Sequence, residues 1–82
     1  MDGFTVTRIE GSPHGPGKVQ IETEESGRWT VPVVERKGRL WAAHNDYESL
    51  DASVEPSWEL RGNLNDAVHE FLESEQKLLL IW

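Results

Sequence analysis

The chain has 82 residues, of which 37% are hydrophobic and 28% charged, a composition typical of one folded domain rather than of a disordered chain. It contains no cysteine, which excludes disulfide bonds, a thiolate nucleophile and a cysteine-based zinc site. The net charge of −7 is unevenly distributed: residues 1–43 are neutral, whereas residues 44–76 hold nine acidic side chains and one basic one, Arg61. We expect a single domain over residues 1–82 with its negative charge confined to the second half.

From the sequence we expect neither an export signal nor a membrane-spanning segment. Residues 1–4 lack the basic region followed by an apolar region that marks a secretory signal peptide. The longest apolar run, residues 78–82, has five residues, against the roughly 20 that a membrane-spanning helix requires. We therefore expect a cytoplasmic protein without a membrane span.

The first 35 residues carry the pattern of antiparallel β-strands. Residues 4–10 are rich in β-branched side chains and predict a first strand, which ends at a glycine- and proline-rich loop over residues 11–17. Residues 18–24 alternate between apolar and polar side chains, and residues 28–35 do so again after a short turn. These two segments predict a β-hairpin with one face towards the core.

Pro32 interrupts the third predicted strand. Because proline cannot donate a hydrogen bond to a neighbouring strand, we predict an edge strand or a β-bulge there. After a turn, residues 39–43 predict a fourth strand, and the acidic residues 44–56 predict a long loop. Residues 57–61 predict one more short strand, which would extend an antiparallel meander.

The strongest periodic signal is a helix over residues 64–74, whose apolar side chains recur at the spacing of one buried face. Asn63 is the predicted N-cap, and Asp66 favours the positive end of the helix dipole. Residues 78–82 predict either an interior strand or a continuation of this helix. The predicted fold class is α+β: an antiparallel sheet of about four to six strands with one amphipathic helix packed on one face.

The sequence offers few groups for catalysis. The three histidines, His14, His44 and His69, stand in no catalytic or metal-binding spacing, and no serine lies in a nucleophile-elbow motif. We therefore expect a protein that is not an enzyme and that needs no cofactor.

The acidic segment raises the alternative of a small metal-binding protein. A calcium loop of the EF-hand type requires an oxygen ligand at its fifth position and glycine at its sixth. In the segment that begins at Asp46, these positions are Leu50 and Asp51, so the motif fails. Looser calcium coordination by Asp46, Glu48 and Asp51 stays open.

Like charges line the predicted helix, since Asp66, Glu70 and Glu73 follow at i, i+4 and i+7 without a lysine on that face. Each such pair costs about 0.2–0.5 kcal/mol, and a surface that served solubility alone would mix both signs. The chain also has four tryptophans, and aromatic side chains are enriched at binding surfaces. We expect Trp41 or Trp58, beside the acidic segment, to lie on a functional surface.

A surface of this sign repels nucleic acid and attracts basic grooves, so direct nucleic-acid binding is not expected. We predict a non-enzymatic interaction module that binds a basic surface of a larger protein and inhibits a protein that handles nucleic acid. In size and charge it resembles the small phage-encoded inhibitors of restriction and CRISPR systems. The predicted partner-binding residues are Asp46, Glu48, Asp51, Glu55, Glu59, Asp66, Glu70, Glu73, Trp41 and Trp58.

An alternative interpretation is a structural or assembly subunit. Such a protein would add an edge strand or a tryptophan-bearing face to a partner, or to a second copy of itself.

Overall fold

The structure is a computed structural model, and it describes residues 3–12 and 15–81, without the side chains of residues 76–81. The strands form one antiparallel sheet in the order β1-β2-β3-β4, and β5 pairs with β3 on the same side as β4. A single C-terminal helix packs on this sheet, so the predicted α+β class is confirmed. The elements are β1 (Phe4–Gly11), β2 (Gly17–Thr23), β3 (Arg28–Arg36), β4 (Arg39–Ala42), β5 (Glu48–Ser49) and α1 (Trp58–Ile81).

Pro32 lies in an interior strand of the sheet, and not in the edge strand or β-bulge that the sequence predicted. β3 pairs with β2 along one side and with β4 and β5 along the other. The carbonyl oxygen of Pro32 accepts a hydrogen bond from the Ala43 N–H at 2.9 Å. Since the nitrogen and carbonyl of one residue point to the same side of an antiparallel strand, the Pro32 nitrogen faces the gap between β4 and β5, where no ladder hydrogen bond is needed.

α1 begins at Trp58, so the predicted strand over residues 57–61 and the predicted N-cap at Asn63 are both wrong. Ser57 caps the helix instead, because its Oγ accepts a hydrogen bond from the Leu60 N–H at 3.1 Å. Serine is among the preferred N-cap residues. Gly62, one turn further on, does not interrupt the helix.

At its other end, α1 continues to Ile81. Residues 78–81 therefore extend the helix, and the alternative of an interior strand is wrong; Trp82 lies outside the described residues. Among the described residues, no helix combines the length and the apolar character that crossing a membrane requires.

The apolar stripe of α1 packs against the inner face of the sheet. Strand register places Val6 opposite Ile21 and Val19 opposite Val31, so these side chains share that face. Burial of one aliphatic side chain contributes about 1.5–3 kcal/mol to the stability of the fold. The packing of the apolar stripe of α1 on the sheet is therefore the main stabilising interaction between helix and sheet. The core cluster consists of Val19, Ile21, Trp29, Val31, Val33, Ala42, Tyr47, Leu64, Val68 and Leu72.

A two-point salt bridge ties the helix to strand β1. Arg8 donates from Nη2 to Glu75 Oε1 at 2.7 Å and from Nε to Glu75 Oε2 at 3.0 Å. The two side chains are only 9% and 14% exposed. Hydrogen bonding to Glu75 raises the pKa of the Arg8 guanidinium, and bidentate geometry of this kind fixes orientation as well as distance. The salt bridge thus sets where α1 lies along β1.

The β3–β4 turn consists of Lys37 and Gly38, both with positive φ, at 53° and 77°. Two consecutive residues in this conformation are characteristic of a type I′ turn, whose twist suits a two-residue hairpin. Arg36 and Arg39 pair across the turn. Three basic side chains are thereby gathered at one end of the hairpin.

The helix start can be tested at Gly62, where an added methyl group would meet no atom within 4 Å. We expect Gly62→Ala to stabilise the fold by about 0.5–1 kcal/mol, because glycine disfavours a helix interior. Gly38→Ala is the matched control, since Gly38 is equally open but its φ of 77° strains an alanine, so this variant should lose stability. Urea unfolding measures both, and a destabilised Gly62→Ala variant would contradict the helical conformation there.

Candidate functional site

The solvent-exposed side of α1 is acidic. From Trp58 to Glu75, its exposed positions hold four carboxylates and no basic side chain. These carboxylates recur at the helical repeat, on the side away from the buried stripe. They are called here the acidic helix face and comprise Glu59, Asp66, Glu70 and Glu73.

Trp58 stands at the N-terminal end of the acidic helix face and is 80% exposed. The guanidinium of Arg61 lies over its ring, 4.8 Å from the ring centroid. This contact is a cation–π interaction, which holds the indole in place on the surface. A large apolar ring beside an arginine is the composition of a binding hot spot.

Arg61 and Asn65 join the loop after β4 to the helix. Arg61 Nη1 donates to the His44 carbonyl oxygen at 2.9 Å and to Asn45 Oδ1 at 3.4 Å. The Tyr47 hydroxyl donates to Asn65 Oδ1 at 2.6 Å. The first part of the loop therefore lies beside the first half of α1, and loop and helix form one continuous surface.

The attachment of the loop to the helix can be tested at Tyr47. Burial raises the pKa of the Tyr47 phenol above its ordinary value of 10.0. A raised phenol pKa means that this contribution to stability is complete below pH 10 and is lost as the pH rises towards the folded-state pKa. We expect Tyr47→Phe to cost about 1 kcal/mol near neutral pH, through the lost hydrogen bond, and to remove the alkaline loss.

Tyr47 is the only tyrosine of the chain, so ultraviolet absorbance follows its ionisation directly. The same titration in denaturant is the control. A native titration that coincides with the denatured one would contradict the burial of the phenol.

The loop acids further along do not join the acidic helix face as a group. Asp51 is committed to Arg28: its Oδ2 accepts the Arg28 N–H at 2.8 Å, and its Oδ1 pairs with Arg28 Nη2 at 2.9 Å. Glu48 lies on β5 opposite Thr30, and Glu55 is exposed. Within the part of the chain that the structure describes, no three acidic or histidine side chains stand close enough to hold a metal ion.

The Arg28–Asp51 pair predicts an acid-sensitive contribution to stability. Hydrogen bonds from Arg28 lower the pKa of Asp51 below its ordinary 3.8, so the contribution is present above that value and lost as the pH falls through the folded-state pKa. We expect Asp51→Asn, which keeps an acceptor for the Arg28 N–H, to flatten the loss of stability below about pH 4. Urea unfolding across acidic pH measures this, and Arg28→Gln should give the same flattening; an unchanged slope in both variants would contradict the pairing.

Trp41 and Asp46 lie in a different environment from the other predicted residues. They line a groove beside the β3–β4 turn, together with Arg36, Lys37 and Arg39. We call this groove, which His44 and Asn45 also line, the basic groove. The predicted site is therefore divided: its four helical acids share one face, whereas Trp41 and Asp46 stand among cations.

Trp41 is 40% exposed, and its ring is held from two directions. His69 of α1 meets it edge-on, with the ring centroids 5.5 Å apart. The Arg39 guanidinium lies 5.3 Å from the Trp41 ring centroid. His69 is half-buried in this contact. His44 and Asp46 also line the groove, but no hydrogen bond joins their side chains.

Sequence reasoning missed two acidic residues near the helix start. Glu24 and Glu25, in the β2–β3 turn, line a second groove together with Glu59 and Leu60. A charge count by segment assigned both to the neutral half of the chain. Only the packing of the β2–β3 turn against the start of α1 brings them next to the acidic helix face.

Comparison of the chain with protein-family models gives no match, and comparisons with the curated proteins and with the solved structures give none either.

Proposed function

We propose that the protein is a non-enzymatic interaction module whose acidic helix face binds a basic surface on a larger protein. The observation that carries this proposal is the absence of a basic side chain among the exposed positions of α1 from Trp58 to Glu75, next to a tryptophan that is 80% exposed. Charges of one sign on one rigid element create a local potential that steers a partner of opposite sign.

Trp58 supplies what the carboxylates lack, an apolar anchor. Electrostatic complementarity chiefly raises association rates and specificity, whereas buried aromatic side chains supply most of the affinity. Arg61 keeps the indole on the surface and also holds the loop at His44. A partner that covers Trp58 would therefore contact helix and loop together.

The partner class follows from the sign of the surface. Proteins that handle nucleic acid carry basic grooves that hold phosphates. A compact acidic module can occupy such a groove as a nucleic-acid mimic, and it then acts as an inhibitor. In size and charge the chain resembles small phage-encoded inhibitors of restriction and CRISPR systems. We expect such inhibitors to act by nucleic-acid mimicry of this kind.

The proposal is tested by charge reversal on the helix. The immobilised protein is used to capture partners from a nuclease-treated cell lysate at low and high salt, and each captured protein is purified and assayed for displacement of labelled DNA. We expect Asp66→Lys together with Glu73→Lys to weaken binding by about tenfold to a hundredfold, since two attractive contacts become repulsive.

The matched control is Glu10→Lys together with Glu22→Lys, which changes the net charge by the same amount on β1 and β2. It should retain binding. Equal affinity of the helix double variant and the wild type would contradict the proposal, as would binding that does not weaken with salt.

The exposure of Trp58 also favours the second candidate function, an assembly subunit that binds through a tryptophan-bearing face. In that case Trp58→Ala should abolish association while the helix charge reversal leaves it intact. The helix charge reversal therefore separates the two candidates, because it weakens binding only in the first.

A further inference from the structure

The basic groove gathers three cations, Arg36, Lys37 and Arg39. Arg8 and Arg28 form salt bridges, whereas Arg36, Lys37 and Arg39 form no ion pair with any residue that the structure describes. The protein has 15 acidic and 8 basic side chains. Acidic side chains therefore outnumber the basic ones that they could pair with. Three neighbouring cations around one concave surface make it attractive to an anion.

The same groove offers a flat ring for stacking. Trp41 keeps 40% of its surface exposed, and its ring is positioned by the edge-on contact with His69 and by Arg39. Indole rings and guanidinium groups are the side chains on which nucleobases stack. A fixed and half-open indole therefore presents a stacking platform before any ligand arrives.

The lining of the groove also contains polar residues. His44, Asn45 and Asp46 line it, and this segment is held in place because Arg61 donates to His44 and Asn45. An amide and a carboxylate are groups that hydrogen-bond to the edges of bases. The groove has a volume of about 690 Å³, within the range of roughly 300–1,000 Å³ found for small-ligand sites.

We infer that the basic groove binds a nucleoside phosphate, with its base on Trp41 and its phosphate between Arg36 and Lys37. This site is separate from the acidic helix face, and the inference does not depend on the function proposed above. The polar side chains of Asn45 and Asp46 would then contact the edge of the base.

A free nucleotide fits the charge distribution better than a nucleic-acid strand does. A strand carries phosphates beyond the groove, and an overall charge of −7 repels them. A mononucleotide places its charge only where the three cations stand. An acidic peptide would use these cations but would gain nothing from the stacking platform.

The test is isothermal titration calorimetry of the full chain with four probes: ADP, adenosine, inorganic phosphate and a short single-stranded oligothymidylate. We expect saturable ADP binding, with adenosine and phosphate each weaker by about tenfold or more, because each supplies only half of the contacts. Absence of saturable ADP binding would overturn the inference. So would phosphate binding as tight as that of ADP, or oligothymidylate binding tighter than that of ADP.

Paired variants separate the groove from the rest of the surface. Trp41→Leu should weaken ADP binding by about tenfold, whereas Trp58→Leu, at the other exposed tryptophan, should leave it within about twofold. Equal effects of the two variants would overturn the stacking assignment.

The cations are tested by Arg36→Gln together with Lys37→Asn, because asparagine tolerates the positive φ of this turn position. Lys18→Gln together with Arg28→Gln removes the same charge elsewhere and is the control. Thermal unfolding confirms that each variant is folded. An ADP affinity lowered equally by both double variants would overturn the phosphate assignment. A polyglutamate peptide that competes with labelled ADP as well as unlabelled ADP does would overturn the assignment of the ligand as a nucleotide.

Discussion

The packing of one apolar stripe of α1 against the sheet determines where the acidic helix face of this protein lies. Leu64 and Val68 are fully buried against a sheet face that contains Val19 and Ile21. Once these positions face inwards, the helical repeat directs Asp66 and its neighbours to solvent, and no rotation of the helix is possible without exposing the stripe. The Arg8–Glu75 salt bridge then sets the position along the axis, because a bidentate pair tolerates little sliding. The acidic face is thus a consequence of core packing and is as rigid as the core.

The loop gains its place from the same packing, and this unites parts of the surface that are distant in sequence. Arg61 is the only basic side chain within residues 44–76, and it does not neutralise a neighbouring carboxylate. It donates to a backbone carbonyl of the loop and stacks on Trp58. Its charge is therefore used to hold the loop against the helix. Tyr47, buried nearby, adds a second attachment through Asn65.

Local patterns predicted the sheet well, because strand alternation and turn residues act over a few positions. The four main strands end within one residue of their predicted bounds. The start of the helix was missed because Gly62 and Asn63 suggested a boundary, while the actual cap, Ser57, acts through a single hydrogen bond at Leu60. Contacts between residues far apart in the chain could not be predicted from the sequence. Nothing in it indicates that Asp51 pairs with Arg28 or that Trp41 contacts His69. The division of the predicted site follows from these distant contacts, since Trp41 precedes the acidic segment and Asp46 lies within it, whereas in space both line the basic groove.

Because the acidic helix face and the basic groove are separate in space, the net charge of the protein does not predict what each part of its surface attracts. The screening length at physiological salt is about 8 Å, a fraction of the 38 Å length of the molecule, so the potential at any point reflects mainly the charges around it. A hairpin end with Arg36, Lys37 and Arg39 can attract a small anion although the whole chain carries −7. The acidic helix face can likewise attract a basic protein although the first half of the chain is neutral. A long polyanion spans several screening lengths and therefore meets both surfaces, whereas a ligand confined to the groove meets three cations and, in the groove lining, the single carboxylate of Asp46. This difference in extent is the physical basis for two opposite binding preferences on one small domain.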